Sequence, residues 1–298
     1  MSESLPSVVA AEMRVLDPLI AAQKLLHLIE GADRSGVLAL LVDGATVDDV
    51  AGSTELELNV VAAIVDALLV ANVVEPVDDA IRLTPDWQTV CSSAGMRPLR
   101  ATLEGERVGA ELLRRVGEGD DYWTLSQDDQ VALAASLSPD PTQGALVPTL
   151  PVQAAAGAPL EAAASTAQRY LELGCGLAGY TLSLLQAFPH LTVVGVELSA
   201  DLADEAERRA ASLGLQDRFS VVRSNAADFE SVEQFDMGFW SQFFFAQSFR
   251  AGALQTLFDH VRSGGLVAAP VVQPTGDEPD AVLRRAALLR VMTESWGV

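Results

Sequence analysis

Lysine is almost absent from this sequence. Lys24 stands alone among 298 residues, and every other basic side chain is arginine. Lysine and arginine together number 19 against 41 acidic residues, a formal charge of -22. So acidic a surface repels nucleic-acid phosphates and anionic lipid, which argues against both as partners. Cysteine is scarce too. Cys91 and Cys175 lie far apart and in no metal-like spacing, so two reduced thiols and no metal site are expected. No window reaches the roughly 18 uninterrupted apolar residues of a membrane-spanning helix. The opening MSESLPSVVAAEM has neither a basic segment nor a long apolar one, so no signal peptide and a cytoplasmic location are expected. Aromatic residues make up only 6% of the chain while hydrophobic residues make up 49%. The core must therefore be built mostly from Ala, Val and Leu, and the length allows two domains.

What is present falls into three stretches. Residues 1–95 read as a helical domain. Val15, Leu16, Leu19, Ile20, Leu25, Leu26 and Ile29 recur at helical spacing until Gly31, which is expected to stop the helix. A short helix over 36–41 follows, then one capped by Thr46 with Asp49 three residues on. A further helix is predicted from Ser53 to Ala71, burying Val60, Val61, Ile64, Leu68 and Leu69. VVEPVDDAIRLT then alternates around a DD turn, as a small β-hairpin does. Helix, helix, helix, hairpin is the order of a winged helix. Residues 96–165 are helical by pattern and end in a stretch broken by Pro and Gly, which reads as a linker and pocket region.

From 166 to 298 strands and helices alternate. RYLEL, LTVVGVEL, FSVVRSN, FDMGFWSQ and LVAAPVV read as strands, with helices between them, the last over AGALQTLFDHVRSGG. That pattern implies an α/β fold, a Rossmann-like parallel sheet with helices on both faces.

The chemistry gathers at the strand ends. Glu172-Leu-Gly174-Cys-Gly176 leaves the first strand and enters a helix. Glycines there let the backbone pass close to a ligand. Dinucleotide enzymes use a similar turn, but Glu172 would repel a pyrophosphate and suits the ammonium of an amino-acid-like ligand. Glu197, 21 residues after Gly176, ends the second strand, where a carboxylate can accept from both hydroxyls of a ribose. Asp228, after the third strand, can accept from an adenine amine, with Phe229 as an aromatic wall. Three acids and a glycine turn describe a nucleoside that carries a cationic amino acid.

This constellation resembles the class I S-adenosylmethionine-dependent methyltransferases, over residues 169 to about 272: ELGCG, VGVEL, NAADF, FDMGFWSQ and SGGLV. The first half resembles the winged-helix dimerisation domain of the small-molecule O-methyltransferases, in GVLALLVDGATVDDVAG and VVAAIVDALLVANVVEPVDDAIRLT. The resemblance implies S-adenosylmethionine as cofactor, held by Glu172, Gly174, Gly176, Glu197, Leu198, Asp228, Phe229 and Ser241. It also implies a homodimer through the N-terminal helices and a small-molecule acceptor from secondary metabolism. Tyr122, Trp123, Gln242 and Phe245 are the candidate acceptor contacts.

Two departures qualify the expectation. Many members of the family it resembles carry a catalytic His shortly after the fourth strand, and here residues 243–248 read FFFAQS. His27, on the first helix, is the candidate base left, because in a swapped dimer that helix can reach a neighbouring pocket. His190 and His260 read as structural. The family also continues past the fifth strand with a helix and a β-hairpin that completes the sheet. Here that hairpin is expected to be missing, cut off by truncation or supplied by a second chain, and if it is absent the sheet has an exposed edge. The other reading is therefore a methyltransferase-like protein that binds S-adenosylmethionine without methylating, as a catalyst of another reaction or a partner subunit.

Overall fold

The computed structural model describes residues 5–92, 97–118, 122–143, 146–271 and 279–295. The chain divides into two compact units, 1–95 and 96–298.

In the first unit, α1 (Leu5–Arg34) is followed by α2 (Val37–Leu40), α3 (Val47–Ser53) and α4 (Leu58–Val70). The hairpin β1 (Val74–Val77) and β2 (Ala80–Leu83) comes next, then α5 (Pro85–Cys91). The order helix, helix, helix, hairpin is present, and Ala45 bridges Ile81 as a third short pairing beside the hairpin. Gly31 does not stop α1. A glycine inside a helix costs only about 1 kcal/mol, and Ile29 and Ala32 on either side are buried. The stop comes at Gly36, whose φ of 83° only glycine adopts cheaply. Thr46 caps α3 as predicted, its hydroxyl accepting from the Asp49 N–H at 3.1 Å while the Asp49 carboxylate accepts from the Thr46 N–H at 3.2 Å. Two details of α4 differ from the prediction. It begins at Leu58, because Ser53 belongs to α3, and its buried stripe is Val61, Val65 and Leu68, with Val60 exposed.

The second unit opens with α6 (Leu99–Arg114), α7 (Gln127–Leu137), α8 (Leu150–Ala155) and α9 (Pro159–Ala164). Then come β3 (Arg169–Leu173), α10 (Gly179–Ala187), β4 (Thr192–Glu197), α11 (Ala200–Ser212) and β5 (Phe219–Arg223). It continues with β6 (Phe235–Trp240), α12 (Gln247–His260), β7 (Val261–Ala268) and α13 (Pro279–Ser295). The sheet is wholly parallel in the order β5-β4-β3-β6-β7. Side chains alternate across it. Tyr170 joins the core with α10 and α11 on one face, while Leu171 and Leu173 join the core with α12 on the other.

The helices of residues 96–165 belong to this same unit. Val108 and Leu112 of α6, Leu133 of α7 and Met292 of α13 form one cluster with Leu177 and Leu202 of the sheet region. α6 and α7 approach so closely that a Cβ on Gly105 would lie 2.2 Å from the Cβ of Ser136. One predicted helix end moves. Residues 261–265, expected to close α12, already run in β7, because Val261 pairs with Phe235 of β6.

Candidate active site

The strand order reverses at β3, where the crossovers leave in opposite directions. A crevice opens there at the carboxyl ends of β3, β4 and β6, the usual binding place of such sheets. The turn after β3 is built by its neighbours. The N–H groups of Gly174 and Cys175 both donate to the Val196 carbonyl, at 2.8 and 3.1 Å. Gly174 and Gly176 have φ of 69° and 52°. A Cβ on Gly174 would come within 2.9 Å of the Phe245 ring, whereas the place of a Cβ on Gly176 is open to 4 Å all round. The backbone at Gly176 is thus bare toward the cavity, a cradle that a side chain would fill. Gly195 is needed for a different reason: a Cβ there would lie 2.7 Å from the Cys175 sulfur tucked beneath it.

Glu197 is buried at the end of β4 and is held on both oxygens. One accepts from the Gly176 N–H at 2.8 Å and the other from the Ser199 N–H at 3.0 Å. These bonds leave part of the carboxylate's accepting capacity for a ligand. Burial raises its pKa, opposed by the N–H groups of Ser199, Gly176 and Leu198. Glu172, also buried, accepts from the Thr181 hydroxyl of α10. Burial, and next the charge of Glu197, push its pKa up to about 8. Cys175 between them has its thiol pKa raised by burial and by the same two carboxylates, which argues against a nucleophile.

The cavity is lined by Glu172, Gly174, Gly176, Glu197, Leu198 and Ser241 of the predicted cofactor set, and by Tyr122, Trp123 and Phe245 of the predicted acceptor set. Tyr122 and Trp123 meet edge to face at 5.1 Å. Three predicted residues lie elsewhere. Asn225 caps a 3₁₀ turn, its side-chain oxygen accepting from the Ala227 N–H at 2.9 Å. That turn leaves Asp228 exposed at the surface and drives Phe229 into the core against Phe235 and His260. Ser224, Asn225 and Ala226 line the cavity in their place. The Gln242 side-chain amide is turned away and donates to the Pro270 carbonyl.

Sequence reasoning missed other lining residues: Tyr180, Phe239, Phe244 and Phe249, with Leu133, Leu137 and Pro139 from and after α7. FFF at 243–245 was a visible aromatic signal. The α7 residues carry no motif at all. The Tyr180 hydroxyl donates to Glu161, and its pKa is raised by burial and that contact.

Of the second unit's histidines, neither His190 nor His260 lines the cavity. His27 is exposed on α1 of the first unit. His190 lies against the Ala164 carbonyl at 3.2 Å. His260 is buried, contacting the Thr256 carbonyl at 2.8 Å through Nδ1 while Nε2 accepts from the Ser231 N–H at 3.2 Å. Both of its ring nitrogens are thereby spent on the backbone.

A five-stranded parallel sheet in this order, with a glycine turn facing a carboxylate at the next strand end, is a doubly wound α/β fold with a nucleoside-type crevice at its switch point. Residues 171–265 match the family described as a methyltransferase domain. Among curated proteins, the chain is similar to the ribosomal RNA small subunit methyltransferase H of Bifidobacterium animalis subsp. lactis, 39% identical over 57 residues. That match covers 19% of this chain and only 16% of the relative's length. Solved structures resemble the chain over far more of its length. An O-methyltransferase family protein from Burkholderia thailandensis is 16% identical with a TM-score of 0.66, covering 98% of this chain and 88% of that one. Mitomycin 7-O-methyltransferase is 17% identical, also at 0.66, covering 98% and 89%. A methyltransferase of calicheamicin biosynthesis, solved in its SAH-bound form, is 17% identical at 0.64, covering 98% and 88%. At these identities the likeness is one of fold.

Proposed function

We propose that this protein is an S-adenosylmethionine-dependent methyltransferase of a small molecule, with an oxygen of a secondary metabolite as the acceptor atom. The observation that carries the reading is Glu197, buried and clamped by the glycine turn it faces, in a cavity whose far wall is aromatic. The residues fit the cofactor. Glu197 takes the ribose hydroxyls, Glu172 the amino-acid ammonium, and the bare backbone at Gly176 admits the chain between them. Leu198, Ser224, Asn225 and Ala226 wall the base. When bound, S-adenosylmethionine supplies a methyl group on a sulfonium, already activated for displacement.

The protein's own part is alignment and exclusion of water. Tyr122, Trp123, Phe239, Phe244, Phe245 and Phe249 bound the acceptor side. The charged residues lining the cavity are Glu172 and Glu197. The Tyr122 phenol has its pKa raised, first by burial and then by Glu197. A ribosomal RNA substrate, suggested by the name of the short relative, suits neither the net charge of -22 nor this apolar wall.

The assembly is a homodimer through α1, placed in the cytoplasm. Val15, Leu16, Leu19 and Ile20 form an apolar stripe there, and all are exposed. Among the described residues no helix is long and apolar enough to cross a membrane. Among the same residues β7 pairs with β6 alone, so its other edge is open to a strand from a second chain.

A second reading has its own support. No histidine lines the described cavity, which favours a protein that binds the cofactor without transferring its methyl group. Calorimetry with S-adenosylmethionine and S-adenosylhomocysteine tests the shared part. Glu197→Ala should lose roughly 1.5–3 kcal/mol, about tenfold or more in affinity. A wild type that binds neither ligand overturns both readings. Formation of S-adenosylhomocysteine with an acceptor library separates them.

A further inference from the structure

Glu197 is held from two sides, and the two are built differently. On one side the Gly176 N–H comes from the glycine turn. On the other the Ser199 N–H comes from the first residue before α11, and Ser199 is itself held from outside the sheet. Its hydroxyl accepts from the Leu202 N–H at 3.4 Å as the cap of α11. The hydroxyl proton needs an acceptor of its own, and it donates to the side-chain oxygen of Gln130 at 3.0 Å. Gln130 lies on α7, and its amide nitrogen donates to the Leu125 carbonyl at 3.5 Å, which turns the oxygen toward Ser199.

Both side chains are buried, Gln130 at 6% and Ser199 at 4% exposure, and neither lines the cavity. A buried amide costs stability unless it is bonded, so packing alone would favour an apolar residue at 130. The same helix presents Leu133, Ala134 and Leu137 to the acceptor side of the cavity.

We propose that Gln130 is a positioning residue for Glu197, acting through Ser199, and that α7 thereby sets the ribose-binding carboxylate from the acceptor wall. The proposal rests on the cofactor reading above. Gln130 touches no ligand. It holds the Ser199 backbone where its N–H orients one oxygen of Glu197, so that the carboxylate faces a vicinal diol.

The test uses the full chain and two probes, S-adenosylhomocysteine and its 2′-deoxy analogue, titrated calorimetrically. Wild type should prefer the ribose form. Gln130→Met, of similar length but without the acceptor, should weaken S-adenosylhomocysteine roughly three- to tenfold. It should also reduce the preference for ribose over 2′-deoxyribose toward that of Glu197→Ala. Ser199→Ala added to Gln130→Met should lower the preference no further, because one link is already cut. Gln130→Asn keeps the polarity but falls a methylene short, and serves if the Met variant does not fold. A role in stability alone would lower the melting temperature and leave the ribose preference intact, and that result overturns the proposal. A wild type that binds neither probe removes the cofactor reading and this inference with it. Binding by wild type with the preference unchanged in the variants removes the inference alone.

Discussion

Replacing Glu172 by glutamine removes a buried carboxyl whose pKa stands near 8 in the folded chain, raised by burial and by Glu197, against 4.5 as its ordinary value. Between those two values the folded state holds a proton that the unfolded state has released. Stability from this group is therefore full below about pH 4.5 and is lost as pH rises toward 8. A tenfold difference in proton affinity between the two states is worth about 1.4 kcal/mol, so the loss is on the order of a few kcal/mol. Glutamine keeps an oxygen for the Thr181 hydroxyl and does not titrate. The two proteins should melt alike near pH 4.5. By pH 8.5 Glu172→Gln should be the more stable, with a melting temperature roughly 5–10 °C above wild type, taking about 2–4 °C per kcal/mol for a domain of this size. Differential scanning calorimetry across that range reads the difference directly. A gap between the two proteins that does not change with pH refutes the argument, since it would mean that Glu172 ionises as an exposed carboxyl does.

Two further outcomes follow from packing. Gly179→Ala puts a Cβ 2.0 Å from the Pro139 carbonyl oxygen and 2.3 Å from the Ser138 hydroxyl, so the segment after α7 must shift. A loss of about 1–3 kcal/mol is expected in urea unfolding, and a variant as stable as wild type would show that this segment yields freely. Leu19→Glu places a charge in the exposed stripe of α1 and should give a monomer by light scattering, while a dimer that persists would move the interface elsewhere.

Much of the site was legible along the chain because its parts sit at strand ends. Glycines after a buried apolar strand, and an acid closing the next one, are positions where backbone geometry and sequence coincide. Glu172, Gly174, Gly176 and Glu197 could be named on that ground, and all line the cavity. Asp228 and Phe229 were misplaced because they lie in a turn rather than at a strand end. There a single side-chain cap by Asn225 decides which neighbour faces inward, and such a cap leaves no periodic trace. Gly31 misled in the same way, since a glycine's local cost was outweighed by the burial of Ile29 and Ala32 around it.

By itself the sequence determined the alternation of strands and helices, the glycine turn and the acids that face it, because each follows from local periodicity and chemistry. Only the tertiary structure decided what meets across distance. It brought α7 and the rings of Phe239, Phe244, Phe245 and Phe249 around one cavity, turned Gln242 to Pro270, and spent His260 on the backbone. It also joined Gln130 to Ser199, 69 residues away, and through it to Glu197. Contacts of that range depend on which helix faces pack, and packing is settled by shape and burial over the whole unit.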